Sequence, residues 1–342
     1  MGMPGTKVPG TQYVTDENEN HLPAGQYGHI HLFCGSASHD LGAGVASYLG
    51  IKTGSYTRTV FPNENIFIRL NESVRGQDVY LVQTLCAPNL HENMFELLIM
   101  IDTLKRDSAG RINVVVPYLA YARSDKKDQP RVGIAARLLA NLIETAGADR
   151  YITIDLHAGQ IQGFFNIPGD ALTTFYLLSD YVQEKKIENL LVVSTDLGFG
   201  KKGRNWAERL GTPHAIIEKR RTGNDAKSEA LSIIGDVRGK NVLLVDDEVL
   251  TGGSIVNAVN LVRDEGARDV YLAFAHPLLG EQAPERLAAL GIKEIITTDT
   301  VPVSAEKRAR LPNMTVLSVA PLLGEVILRT NQARSVGELF NE

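Results

Sequence analysis

Short apolar runs that do not alternate with polar residues recur along this chain. "VYLVQ" at Val79–Gln83, "INVVVP" at Ile112–Pro117, "YITID" at Tyr151–Asp155, "LLVVS" at Leu190–Ser194, "VLLV" at Val242–Val245 and "VYLAFA" at Val270–Ala275 are of this kind. A strand with one wet face alternates. A strand buried on both faces reads as a continuous Val, Ile and Leu run, the pattern of a parallel sheet covered by helices. Further strands are expected at His29–Cys34, Ile66–Leu70, Glu294–Thr297 and Thr315–Ser318, with helical stretches at Asn93–Ser108, Gly133–Thr145, Ala171–Lys185 and Ser254–Glu265. Strands and helices in alternation predict an α/β fold with open, mostly parallel sheets.

The 342 residues suit about two domains. An internal echo points the same way. "INVVVPYLAYARSDKK" and "NLLVVSTDLGFGKKGR" are each a strand followed by basic residues; "RYITIDLHAGQIQG" and "NVLLVDDEVLTGGS" are each a strand running into an acid and a glycine turn. The order occurs once in each half, so two similar domains are expected, at residues 28–170 and 171–342, after a polar, disordered extension over 1–27. The formal net charge of −5 argues against a general nucleic-acid or anionic-membrane binder. No apolar run approaches the ~20 residues of a membrane span, and the N-terminus lacks a secretory pattern. Cys34 and Cys86 make no metal or disulfide framework and read as reduced, buried thiols of a cytoplasmic protein.

The sharpest chemical signal is "VLLVDDEVLTGGS". Asp246 and Asp247 stand at the carboxyl end of an apolar run, and Thr251, Gly252, Gly253 and Ser254 precede a helical pattern. Ligands of parallel sheets sit beyond such strand ends. Glycines let backbone N–H groups converge on an anion at a helix N-terminus, where the dipole favours negative charge. The carboxylates can accept from vicinal hydroxyls. Phosphate at one end and a diol at the other describe a ribose 5-phosphate. No Lys follows Gly253, as a Walker A loop requires, and GxGxxG is absent here. A plain strand–turn–helix with solvated acids remains the competing account.

This loop resembles the phosphoribosyl-pyrophosphate (PRPP) loop of type I phosphoribosyltransferases and of PRPP synthetases. "LNESVRGQDVYLVQT", "VVVPYLAYARSDKK", "ANLIETAGADRYITIDLHAGQIQGFFNIP" and "SVAPLLGEVILR" extend the resemblance to the ribose-phosphate diphosphokinase (PRPP synthetase) family over residues 28–340. The resemblance implies two phosphoribosyltransferase-like domains. It implies attack by the 1-hydroxyl of ribose 5-phosphate on the β-phosphorus of ATP, giving PRPP and AMP, with Mg2+ as cofactor and self-association into dimers and hexamers. Lys219 and Arg221, in "IIEKRRTGNDAK", match the transition-state cations of a mobile loop; on charge alone a solvated loop is the stronger reading of this stretch. His157 and Asp196 match the metal-binding positions, Asp196 also contacting ribose. Asp246, Asp247 and Thr251–Ser254, with Arg221, match the ribose 5-phosphate site. Phe61, Asn63, Asn65, Arg123, Ser124 and Asp125 fall on the ATP loops, and Ser73 and Arg75 on regulatory positions. The basic segments 123–131, 201–204 and 219–221 are expected on loops after strands.

The chain also departs from the family. Phe61-Pro62-Asn63-Glu64-Asn65 stands where members carry F-S-D-G-E, Ser124 replaces a Gln, Leu250 replaces the acid before T-G-G, and Ser194-Thr195-Asp196 replaces S-P-D. An active but atypical enzyme is expected, with altered nucleotide preference or weakened substrate binding. A non-catalytic regulatory subunit and a plain phosphoribosyltransferase are the alternatives.

Overall fold

The continuous apolar runs form the central strands of two separate sheets. The computed structural model describes residues 25, 27–221 and 229–339, with the backbone alone for 219–221, 229, 230 and 338. In chain order the first elements are β1 (Ile30–Cys34), α1 (His39–Leu49), β2 (Tyr56–Val60), β3 (Ile66–Leu70), β4 (Asp78–Val82), α2 (Leu90–Arg106), β5 (Arg111–Val116), α3 (Ala135–Ala146), β6 (Arg150–Ile154) and β7 (Gly169–Leu172). Five of the strands make a parallel sheet in the order β1-β4-β5-β6-β7, while β2 and β3 pair antiparallel as a hairpin. β4 is buried at every position, as a strand covered on both faces must be. The helices present apolar stripes to the sheet: α3 buries Ala136, Leu139, Ala140 and Ile143, the i, i+3, i+4, i+7 spacing of one helical face. Each large side chain on such a face contributes about 1.5–3 kcal/mol of burial.

The second unit spans residues 174–317. It contains α4 (Phe175–Glu184), β8 (Leu190–Ser194), α5 (Gly200–Leu210), β9 (His214–Arg221), β10 (Glu229–Ile234), β11 (Asn241–Glu248), α6 (Gly253–Asp264), β12 (Val270–His276), α7 (Ala283–Ala289), β13 (Glu294–Thr298), α8 (Ala305–Arg310) and β14 (Met314–Leu317). Its seven-stranded sheet has the order β10-β9-β8-β11-β12-β13-β14, parallel except for β10. The two members of the sequence echo are sheet neighbours in both units, β5 beside β6 and β8 beside β11.

Three expectations change. The last helix, α9 (Ala320–Asn331), groups with the first unit and not with residues 171–317. Its Glu325 accepts from the Tyr48 hydroxyl on α1 at 2.9 Å, and Asn331 donates to Asp78 Oδ2 at 2.9 Å. Asp78 is a buried carboxylate that also takes two bonds from Arg111, each 2.7 Å, and one from Asn113; a buried charge needs that many partners. Second, Ala171 and Leu172, expected at the start of a helix, end β7, and the helix begins at Phe175. Third, the basic segments at 201–204 and 219–221 lie in α5 and at the end of β9, not on loops. Cys34 and Cys86 are buried and form no disulfide. The expected extension lies largely outside the described residues.

Candidate active site

β11 runs through the diacid instead of stopping before it: its register with β12 continues to Glu248 opposite His276. Asp246 and Asp247 are therefore held on a rigid strand end. Asp246 Oδ2 accepts from the Thr195 hydroxyl at 2.8 Å, and its Oδ1 from the Asp247 N–H at 2.9 Å. Asp247 Oδ1 accepts from the Glu248 N–H at 2.9 Å. Burial, then the neighbouring Asp247 charge, push the Asp246 carboxyl well above the ordinary carboxylate range. Beyond the strand, Leu250 and Thr251 are exposed. Gly252, at φ 73°, turns the chain into α6, which starts at Gly253; this left-handed conformation is one that glycine adopts without steric cost. Ser254 is exposed in the first turn of α6. Acids, a glycine turn and a helix N-terminus thus follow one another without interruption.

Asp196 lies on the next strand end, after β8, and is exposed. Its Oδ1 accepts from the Phe199 N–H at 2.8 Å, closing a turn before α5. The loop stands on a half-buried contact. Ser194 Oγ lies 2.9 Å from His214 Nε2, and burial followed by the Arg204 charge lowers the His214 pKa. The backbone of Lys219 and Arg221 ends β9 in the same sheet; their side chains lie outside the described residues.

In the first unit, Phe61–Asn65 form the tip of the β2–β3 hairpin. Phe61 N–H donates to Asn65 O at 2.9 Å, and Asn65 N–H to Asn63 Oδ1 at 3.2 Å. Phe61 is exposed against Phe67 at 6.2 Å between ring centroids. Arg123, Ser124 and Asp125 occupy the loop after β5, with Arg123 exposed. Asp125 is buried and accepts from Gln160, which ties this loop to the turn that follows exposed His157. Arg123, Ser124, Asp125 and His157 therefore share the carboxyl-end edge of one parallel sheet. Ser73 and Arg75 precede β4 and lie at the opposite edge.

Two groups were not singled out from sequence. Thr195, buried, tethers Asp246. Glu96, fully buried on α2, accepts from Ser36 N–H at 3.1 Å, Tyr56 Oη at 3.2 Å and Gln83 Nε2 at 3.2 Å, and pairs with Arg58 Nε at 3.4 Å. It anchors the hairpin base. A Glu on an amphipathic helix ordinarily reads as surface, so only burial reveals it.

Among the described residues no cluster of three or more His, Cys, Asp or Glu is arranged to hold a metal by itself. Exposed His157 in the first unit and Asp196 in the second, one of whose oxygens is engaged by Phe199, are each a donor of the kind taken by an ion that keeps waters and shares substrate phosphates. Mg2+ behaves in this way.

Residues 30–147 match the profile of the N-terminal domain of ribose phosphate pyrophosphokinase, and residues 224–341 that of the phosphoribosyl synthetase-associated domain. A ribose-phosphate pyrophosphokinase of Oceanobacillus iheyensis is 45% identical over 312 residues, covering 91% of this chain and 97% of the relative. The chain belongs to the ribose-phosphate pyrophosphokinase family. A chloroplastic ribose-phosphate pyrophosphokinase of Arabidopsis thaliana is 45% identical over 314 residues, 91% of this chain and 77% of the relative. The crystal structure of phosphoribosylpyrophosphate synthetase from Mycobacterium smegmatis superposes with a TM-score of 0.84 at 44% identity, covering 89% of this chain and 99% of that one. This ribose-phosphate pyrophosphokinase family member is an enzyme with mostly parallel sheets flanked by helices. Among its described residues no helix is long and apolar enough to cross a membrane.

Proposed function

We propose that the enzyme transfers the diphosphoryl group of ATP to the 1-hydroxyl of ribose 5-phosphate, giving PRPP and AMP. The observation that carries this reading is the run from β11 into α6, where two adjacent carboxylates lead through a left-handed glycine to a helix N-terminus. Asp246 and Asp247 accept from the ribose hydroxyls, and Thr251–Ser254 hold the 5-phosphate. The sugar oxygen attacks the β-phosphorus as the bond to the α-phosphate oxygen breaks. Lys219 and Arg221 stabilise charge on the transferring phosphates, since phosphoryl chemistry depends on positioning and electrostatics more than on covalent help. Phe61, Asn63, Asn65, Arg123, Ser124 and Asp125 belong to the ATP site, Asp125 through its bond with Gln160. His157 and Asp196 would hold Mg2+, which supplies charge neutralisation on the phosphates. Ser73 and Arg75, at the far edge of their sheet, are assigned to regulation.

Self-association into dimers and hexamers is part of this reading. Its support is the group of exposed apolar side chains Val60, Phe61 and Phe67 on the hairpin and Phe95 on α2, which a monomer has no reason to leave wet. A cytoplasmic location is supported by the two buried cysteines, Cys34 and Cys86, which form no disulfide. No nucleic acid or membrane partner is proposed.

The alternative, a weak or inactive regulatory subunit, draws on two features. Asn63 spends its carbonyl on its own loop, and an exposed Leu250 stands beside the sugar-phosphate turn. Incubation with ribose 5-phosphate, Mg2+ and ATP, with GTP and CTP in parallel, decides between them. Equal yields of PRPP and AMP are expected. Better turnover with another nucleotide would assign Asn63, Asn65 and Ser124 to base choice. No PRPP from any nucleotide, with the protein folded and assembled, would leave the regulatory reading standing.

A further inference from the structure

The turn after β11 is tied from behind by one segment, residues 276–286. The Val249 carbonyl accepts from the Leu279 N–H at 2.9 Å, and the Leu250 carbonyl from the Gly280 N–H at 2.7 Å. The Thr251 carbonyl accepts from Arg286 Nη1 at 3.1 Å. Three successive carbonyls are thus drawn to one side. In a trans peptide the C=O of one residue and the N–H of the next point in opposite directions, and these peptides are trans. The N–H groups of Leu250, Thr251 and Gly252 accordingly face the other side. There, among the described residues, none of the three donates to a backbone acceptor. Successive N–H groups turned to one side form an anion-binding concavity, and this one opens at the start of α6.

Two of the ties are backbone groups. The third is a side chain held at both ends: Arg286 Nη2 also donates to Gln282 Oε1 at 2.6 Å, one helical turn earlier. Ala283, between them in sequence, lies beneath the turn, with its Cα 3.8 Å from where a Cβ on Gly252 would sit. The brace itself is tightly determined. Leu279 is fully buried and sits at φ 40°, a conformation that costs free energy and persists only where the surroundings enforce it. A planar guanidinium can serve Thr251 O and Gln282 Oε1 together in a fixed fork; an ammonium is a single point charge on a flexible stem.

We propose that Arg286 is a positioning residue of the sugar-phosphate site, acting through the Thr251 carbonyl to aim the Gly252 N–H at the 5-phosphate. The inference rests on the reading of this turn as the ribose 5-phosphate site. It is tested on the full chain with the parent, Arg286→Ala and Arg286→Lys, by steady-state kinetics in each substrate and by calorimetric titration with ribose 5-phosphate. Arg286→Ala raises KM and Kd for ribose 5-phosphate about tenfold, a change of ~1.4 kcal/mol, while KM for ATP and kcat stay within about twofold. Arg286→Lys retains most of that rise, because it restores the charge without the fork. Arg286 is exposed, so both variants fold. Unchanged ribose 5-phosphate affinity in Arg286→Ala overturns the proposal. So does full recovery in Arg286→Lys, which would make Arg286 a point charge, and so does an equal rise in both KM values, which would mean general loosening. A parent chain that binds no ribose 5-phosphate refutes the sugar-phosphate reading itself, and the role of Arg286 falls with it.

Discussion

Gly203→Ala sets two effects of opposite sign against each other. Gly203 lies in the first part of α5, and glycine-to-alanine in a helix ordinarily stabilises by about 1 kcal/mol. Here the added methyl would overlap Ser194 Oγ outright and lie 2.7 Å from His214 Nε2. Ser194 is fully buried, and its hydroxyl is held between His214 Nε2 at 2.9 Å and the Phe199 carbonyl at 3.4 Å, so it has nowhere to retreat. Overpacking of this kind costs about 1–3 kcal/mol, and loss of the hydroxyl–imidazole bond about 1 more. Packing therefore outweighs propensity, and the variant is less stable than the parent by about 1–3 kcal/mol. The chain's single tryptophan reports the event directly. Trp206 is buried on the same helix, edge-on to Phe175 at 5.6 Å. Urea unfolding followed by its fluorescence should show an earlier midpoint. In a Ser194→Ala background the penalty should shrink by about 1 kcal/mol or more, because contacting residues are not additive. A Gly203→Ala protein as stable as its parent, or more so, would show that α5 is not seated against Ser194 and His214 as described. The loop carrying Asp196 enters α5, so a shift of the helix would also raise KM for ribose 5-phosphate.

Asp246→Asn should flatten the pH dependence of stability. An acid whose folded pKa lies above its unfolded value favours folding at low pH, and that contribution is lost as pH rises from the ordinary carboxylate range through the raised value. The variant should thus gain stability relative to the parent as pH rises, in urea titrations at several pH values, while ribose 5-phosphate binding weakens; a parallel pH profile in both proteins would contradict the assigned burial. Glu96→Gln places an amide donor against Gln83 and removes one of the two carboxylates that pair with Arg58, leaving Glu92, a loss of about 2 kcal/mol, with faster amide exchange confined to residues 56–70. Exchange that rises uniformly would deny Glu96 its role at the hairpin base. Lys219→Ala should lower turnover by orders of magnitude with unfolding unchanged, and persistent activity would remove Lys219 from the transition state.

The sequence by itself determined the α/β class, because strands buried on both faces cannot hide their continuous Val and Ile runs. It also made the build of the Asp246–Ser254 turn legible, because carboxylates, glycines and a helix start are local features with local causes. The strands it missed were of another sort. β2, β9 and β10 mix polar with apolar residues in sequence instead of running continuously apolar, and β7 is too short to show a period. Tertiary structure alone decided which distant groups meet. Nothing near residue 320 announces that α9 packs on α1 and gives Asn331 to the buried carboxylate of Asp78. Nor does the turn after β11 reveal that Thr195 would tether Asp246, or that Arg286 would hold the Thr251 carbonyl from behind. Periodicity and turn chemistry are written within a few residues of where they act. Burial of a charge and the aim of a peptide depend on neighbours dozens of residues away, and only the packed sheet brings those together.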